Sequence, residues 1–165
     1  APDIFIRAAK LIKEEIQQAH FIIVGSGEME KEIREYARTN GIEESLLITG
    51  WVDNPMAYIE LFDVACLLSR WEGFGLVLPE YMMAGKPIVA TNVDAIPNII
   101  ENGKNGILVA VDDEKAVVRS IMKLYLNSDE KSEIVTNGRY ILKCKFDIKR
   151  VVVQHQVLFE DKREN

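Results

Sequence analysis

The sequence predicts an α/β domain: a Rossmann-like, doubly wound parallel sheet flanked by helices. Three observations carry this expectation. Short, continuous apolar runs recur at 21–24, 46–49, 62–68, 88–90 and 106–109, as expected of strands buried on both faces. Charged segments with apolar residues at helical spacing alternate with these runs. Glycines stand where runs end, at Gly25, Gly27, Gly50, Gly73 and Gly75, the places where a parallel strand turns into its crossover. There is no internal repeat, low-complexity tract or long linker. The 165 residues make about one domain, large enough for a proper core.

The elements follow in order. Over residues 2–18, Ile4, Phe5, Ala8, Leu11, Ile12 and Ile16 fall on one helical face. After the strand at 21–24 comes a Gly-Ser-Gly turn, then a charged helix over 28–39 closed by Asn40-Gly41. The strand at 46–49 ends in Gly50-Trp51-Val52. Next comes a short helix at 55–59, with Asp53 or Asn54 as its N-cap and Pro55 at its first position. Beyond 106–109, Asp112 or Asp113 is placed to cap a helix running to Leu126, and two helical segments follow at 128–143 and 147–159. The last of these segments carries the apolar set Val151, Val152, Val153, Val157, Leu158 and Phe159.

Composition narrows the function. Hydrophobic residues at 48% and charged residues at 28% are those of an ordinary soluble globular protein. No apolar run approaches the roughly 20 residues that span a bilayer, and the first residues are no signal peptide. Cys66 lies inside an apolar run, so a buried thiol in a reducing cytoplasm is expected, and with only Cys66 and Cys144 a cysteine-based metal site is excluded. His20 and His155 show no metal-ligand spacing. A net charge of −6 gives no long-range attraction for nucleic acid, and any site for an anion must be local. The 25–27 turn lacks the third glycine of a dinucleotide fingerprint, and no acid follows where an NAD site needs one.

The densest stretch runs from Ser69 to Thr91. An apolar run enters the turn Glu72-Gly73-Phe74-Gly75, a helical segment follows, and Gly85-Lys86-Pro87 stops it before the next run. Glycines let the backbone bend and approach a ligand, and the amides of Phe74, Gly75 and Leu76 would open the helix facing an anion. Glu72 precedes the turn and Glu80 lies eight positions on. Spacing alone does not make this a site. Glu72 is equally a loop acid, and Glu80 a solvated helix residue or a favourable N-terminal charge.

The full string strongly resembles the donor-site motif of retaining glycosyltransferases of family 4, which have the GT-B fold. The matching residues are Glu72 to Glu80, Gly85, Pro87 and Ala90-Thr91. The resemblance continues at 21–27 (FIIVGSG), at Ile48-Thr49-Gly50-Trp51-Val52 and at 102–109 (NGKNGILV), in the family's order over nearly the whole chain. It implies a single donor-binding domain over 1–165, truncated at its N-terminus, with the first strand and the N-terminal acceptor domain absent. The Arg and Lys that reach the donor diphosphate in that family have no counterpart here, and Lys13, Lys31 and Lys86 do not replace them by position.

By the same resemblance, Glu72 takes the catalytic position and hydrogen-bonds the donor sugar, and Glu80 accepts from the ribose hydroxyls. An ionised carboxylate offers only acceptors, and a vicinal diol supplies two donors. Gly73, Phe74, Gly75 and Leu76 would meet the sugar and phosphate. Gly25 and Gly27 would border the nucleotide pocket. The backbone at Gly50, Trp51 and Val52 would hold the base, with a core aromatic as the other reading of Trp51. The implied donor is a UDP-, GDP- or ADP-sugar, with no metal. The implied partners are that donor and the missing domain, with no nucleic acid. Peripheral membrane association would come through the missing domain, at the inner face in the cytoplasm. The chain departs from the family's Gly-Gly at Asp94-Ala95 and from its acid at Asn98, which leaves the sugar open. Two alternatives remain: a non-catalytic Rossmann-like binding module, and a nucleotide-sugar 2-epimerase-type enzyme, which needs further acids and histidines.

Overall fold

The computed structural model describes residues 1–146, so the helical segment expected over 147–159 and the apolar set within it lie outside the described residues. Five short strands alternate with helices: β1 (Phe21–Ile23), β2 (Leu46–Ile48), β3 (Ala65–Leu67), β4 (Ile88–Thr91) and β5 (Ile107–Val109). The helices are α1 (Pro2–Glu15), α2 (Glu30–Thr39), α3 (Met56–Ile59), α4 (Val77–Met83), α5 (Ile96–Ile99), α6 (Glu114–Leu126) and α7 (Ser128–Lys145), with a 3-10 turn at Glu43–Ser45. Every strand pairing is parallel. β1 pairs with β2 in the register Phe21–Leu46, and β4 lies between β3 and β5 with Ala65 opposite Ile88 and Val89 opposite Ile107.

The α/β class is as expected, but the one sheet is in two pieces, β1-β2 and β3-β4-β5. β4 is fully buried along its length, in keeping with helices on both faces. On one face Ile4 and Ala8 of α1 and Val117 and Leu124 of α6 pack with Leu68, Val89 and Val109. On the other, Leu78 and Met82 of α4, Ile96 of α5 and Ile141 of α7 pack with Ala65, Ile88 and Ala90. A third cluster joins Ile6, Ala9 and Ile12 of α1 to Phe21, Ile33, Ala37 and Ile48 around β1-β2. Helix α1 therefore buries two faces and ties the two sheets together.

Polar side chains set several boundaries. The Asp113 carboxylate accepts the Ala116 amide at 2.8 Å and starts α6, and Asn127 does the same for α7. The cap expected before α3 is not made: the chain enters that helix through Pro55 in helical conformation, with no side-chain cap. Pro55 supplies the right φ and has no N–H to satisfy, so little is left for Asp53 or Asn54 to do.

Between the two sheets lies a cavity of about 680 Å³. Residues 21–24 line it from one side and 66–69 from the other. Ile23 faces β2, because its carbonyl receives the Thr49 amide, and Ala65 faces β4, because its amide reaches the Pro87 carbonyl. Backbone groups alternate along a strand, so Ile22, Val24, Cys66 and Leu68 turn theirs into the cavity. The Tyr81 hydroxyl donates to the Cys66 carbonyl at 3.2 Å and stands in for a missing ladder partner. Burial pushes the Cys66 thiol up to about 12, and it also raises the Tyr81 phenol, which stays a donor. Neither Cys66 nor Cys144 is in a disulfide.

Unpaired edges open more easily than ladders closed on the other side. In amide hydrogen exchange, Ile22, Val24, Cys66 and Leu68 are expected to exchange at least about tenfold faster than Ile23 and Leu67. Equal protection of both sets would mean that the cavity edges are closed in solution.

Candidate functional site

In a parallel α/β sheet, ligands meet the loops that leave the carboxyl ends of the strands. The loop after β3 is the most constrained of these. Its first residues are tied to β4, where the buried Thr91 hydroxyl donates to the Ser69 carbonyl at 2.6 Å. The Glu72 amide donates to Asp94 Oδ2 at 2.9 Å, a bond from the loop after β4. The Glu72 carboxylate folds back into its own turn, accepting the Gly75 amide at 3.1 Å and the Ser69 hydroxyl at 3.2 Å.

This corrects the expectation of three bare amides. The Gly75 amide is taken by Glu72, while those of Phe74 and Leu76 have no acceptor among the described residues. The two glycines also differ. Gly75 has φ +79°, and a Cβ there would meet Leu78 Cδ1 at 3.2 Å and Leu67 Cδ2 at 3.4 Å, so the position demands glycine. Gly73 has ordinary backbone geometry, and a Cβ there meets nothing within 4 Å. Its value is open space above the turn rather than a required bend.

Glu80 lies in the first turn of α4, half-buried, with no hydrogen-bond or ion-pair partner among the described residues. It lines the cavity together with Ser69, and Glu72 adjoins that cavity through the Ser69 hydroxyl. Glu80 thus faces the cavity with its carboxylate unpartnered among the described residues, while Glu72, internally engaged, is not one of the residues that line it. Phe74 is exposed, and its ring meets Phe146 edge to face at 6.2 Å.

The loops after β1 and β2 are joined to each other. The Gly25 amide donates to the Gly50 carbonyl at 3.1 Å, and both glycines hold positive φ. Gly27 is exposed with open space around it. Trp51 is 84% exposed, which rules out the core reading and leaves its ring as a free surface next to Gly50. Val52 is half-buried behind it.

Fixed cations near the turn are already engaged. Arg70 donates to both Asp3 oxygens, at 3.1 and 2.6 Å, and to Asp112 at 2.8 Å. The Arg70 hydrogen bond holds the Asp3 carboxyl below its usual range. An ion pair this open to solvent adds little stability, so its effect is geometric: it pins the start of α1 to the carboxyl end of β3. Helix α1 then carries the chain back to the start of β1, so β1 points the same way as β3. Lys13 and Lys86 bond carbonyls elsewhere, Ala19 and Glu60 respectively. Among the described residues, no cluster of His, Cys, Asp and Glu could hold a metal ion. No helix there is long and apolar enough to cross a membrane.

Arg70 was not singled out by sequence, and Ser69, Thr91 and Asp94 stood there only as bounds of the motif stretch and a departure from it, without these roles. Their roles come from bonds between neighbouring loops, and no spacing within one segment announces them.

These features define the class: a parallel α/β domain whose glycine turns, free amides and one free carboxylate gather at the carboxyl edge. The chain belongs to the Glycosyl transferases group 1 family, whose model matches residues 1–140. It is 29% identical over 159 residues to the N-acetyl-alpha-D-glucosaminyl L-malate synthase of Bacillus anthracis, an alignment covering 96% of this chain and 41% of that protein. The chain thus spans about two fifths of that relative's length. Among solved structures it is similar to S. aureus TarM in complex with fondaparinux, alpha-GlcNAc-glycerol and UDP, with TM-score 0.88, 24% identity, and coverage of 96% of this chain and 32% of that one. It is also similar to Anabaena HepE in complex with UDP, with TM-score 0.88, 22% identity, and coverage of 96% and 44%. These two likenesses establish the fold.

The glycine geometry separates two substitutions. Gly75→Ala must take left-handed backbone, which costs about 1–2 kcal/mol, with contact strain added. Gly73→Ala should change stability by less than about 0.5 kcal/mol. Urea unfolding of both variants checks this, and an equal effect would contradict the geometry.

Proposed function

We propose that this chain is the donor-binding half of a retaining glycosyltransferase that moves a hexose from a nucleoside-diphosphate sugar to a saccharide or lipid-linked acceptor. The observation that carries the reading is the turn after β3. There the free amides of Phe74 and Leu76, the open face of Gly73 and the unpartnered Glu80 carboxylate lie within one short segment. The UDP in the TarM and HepE complexes and the sugar-transferring name of the B. anthracis relative support it.

In this mechanism Glu80 accepts from the ribose hydroxyls and Glu72 orients the sugar. As the anomeric bond breaks, negative charge grows on the leaving diphosphate, and amides fixed at the start of α4 stabilise that state more than the ground state. Retention by front-face attack, with the leaving phosphate taking the acceptor proton, fits a Glu72 whose carboxylate is held by Gly75 and Ser69. The donor is held by amides and carboxylates without a divalent cation.

The acceptor site and further phosphate-binding cations belong to parts of the polypeptide beyond these 165 residues, as does a strand between β1 and β3. The two unpaired edges facing the cavity support that extension. Cytoplasmic action at the inner face of a membrane completes the proposal.

A thermal-shift screen with UDP, GDP, ADP and their sugars tests it. One nucleotide should stabilise the chain by about 2.7 kcal/mol when present at about 100 Kd, a shift of about 5–10 °C for a protein this size. Glu80→Ala should abolish the shift, EDTA should leave it intact, and the chain alone should transfer no sugar. A flat screen, or a shift indifferent to Glu80, would refute donor binding at this turn.

A further inference from the structure

Two loops at the carboxyl edge are latched together, and the latch falls on Glu72. Asp94, between β4 and α5, holds φ +46°, a left-handed conformation that side chains disfavour and glycine takes freely. An aspartate there gives up backbone ease, and what it offers in return is its carboxylate. Oδ2 accepts the Glu72 amide at 2.9 Å, while no partner faces Oδ1 among the described residues. The same stretch of chain holds the turn a second time through the Thr91 hydroxyl and the Ser69 carbonyl. From Glu72 the bonding continues through its carboxylate to the Gly75 amide at the entrance of α4.

We propose that Asp94 is a positioning residue for this site: by fixing the Glu72 backbone it sets where the Glu72 carboxylate and the Gly73-Phe74 peptide stand relative to the donor sugar. This rests on the donor-binding reading above. Its consequence is selective. Glu80 sits on α4, whose place is set by Leu78, Tyr81 and Met82 in the core, so the ribose end of the donor does not depend on Asp94. The sugar end does. Loss of the latch should therefore weaken the contribution of the sugar and leave the nucleotide alone.

The test compares wild type, Asp94→Gly and Asp94→Asn by calorimetric titration with UDP and with UDP-glucose, and by hydrogen exchange at the Glu72 amide. Glycine keeps the backbone conformation and removes the acceptor, whereas asparagine keeps both a side-chain acceptor and tolerance of left-handed geometry. In Asp94→Gly the Glu72 amide should exchange roughly tenfold faster, the loss expected for a charge-assisted bond. Its Kd for UDP-glucose should rise roughly tenfold relative to its Kd for UDP, with the UDP value unchanged. Asp94→Asn should stay within about twofold of wild type in both readouts. Unchanged exchange and unchanged ratio in Asp94→Gly would overturn the proposal. So would an equal loss for both ligands, which is the mark of general loosening. If wild type binds neither ligand, the donor reading is what fails, and the exchange measurement alone decides whether the latch exists.

Discussion

The hydrogen bond from the Gly75 amide to the Glu72 carboxylate decides what the turn after β3 can offer a ligand. It ties the half-buried Glu72 side chain across its own turn, just before Gly75 takes the left-handed φ of +79° that leads into α4. With that amide satisfied internally, the anion-facing donors reduce to Phe74 and Leu76, and the carboxylate becomes a fixed strut. A carboxylate pre-set in this way offers its remaining lone pairs from fixed positions.

The wider molecule works around the same edge. Its net charge of −6 opposes an anionic donor, and the nearest arginine, Arg70, is held by Asp3 and Asp112. The proposed donor would then be held by short-range amides and carboxylate-to-hydroxyl bonds. The cavity between β1 and β3 leaves two strand edges without ladder partners. Backbone groups buried without ladder partners are costly, and a single tyrosine hydroxyl serves the Cys66 carbonyl.

Local signals in the sequence were clear where the structure obeys local rules. The five apolar runs became five parallel strands, Asp113 caps α6, and that helix ends at Leu126. The Glu72 and Glu80 pair was visible through its motif. What escaped was non-local. A one-face periodicity for α1 missed Ile6 and Ala9, which are buried because the helix lies between two apolar clusters. The break in the sheet depends on which strands meet, and apolar runs carry no record of that. For Trp51 the sequence left a base-facing ring and a core aromatic both open, and its 84% exposure removes the second. The link from Asp94 to Glu72 spans two loops and leaves no pattern in either.

The central claim is that a nucleoside-diphosphate sugar docks on the turn after β3. Titrating the 15N-labelled chain with UDP-glucose and following its amide resonances tests this most directly. The account requires the largest shifts at Phe74, Leu76 and Glu80, with smaller ones at Gly25 and Gly50. Shifts confined to the basic side of α2, at Lys31, Arg34 and Arg38, would mean only diffuse attraction of phosphate to surface cations and would contradict it.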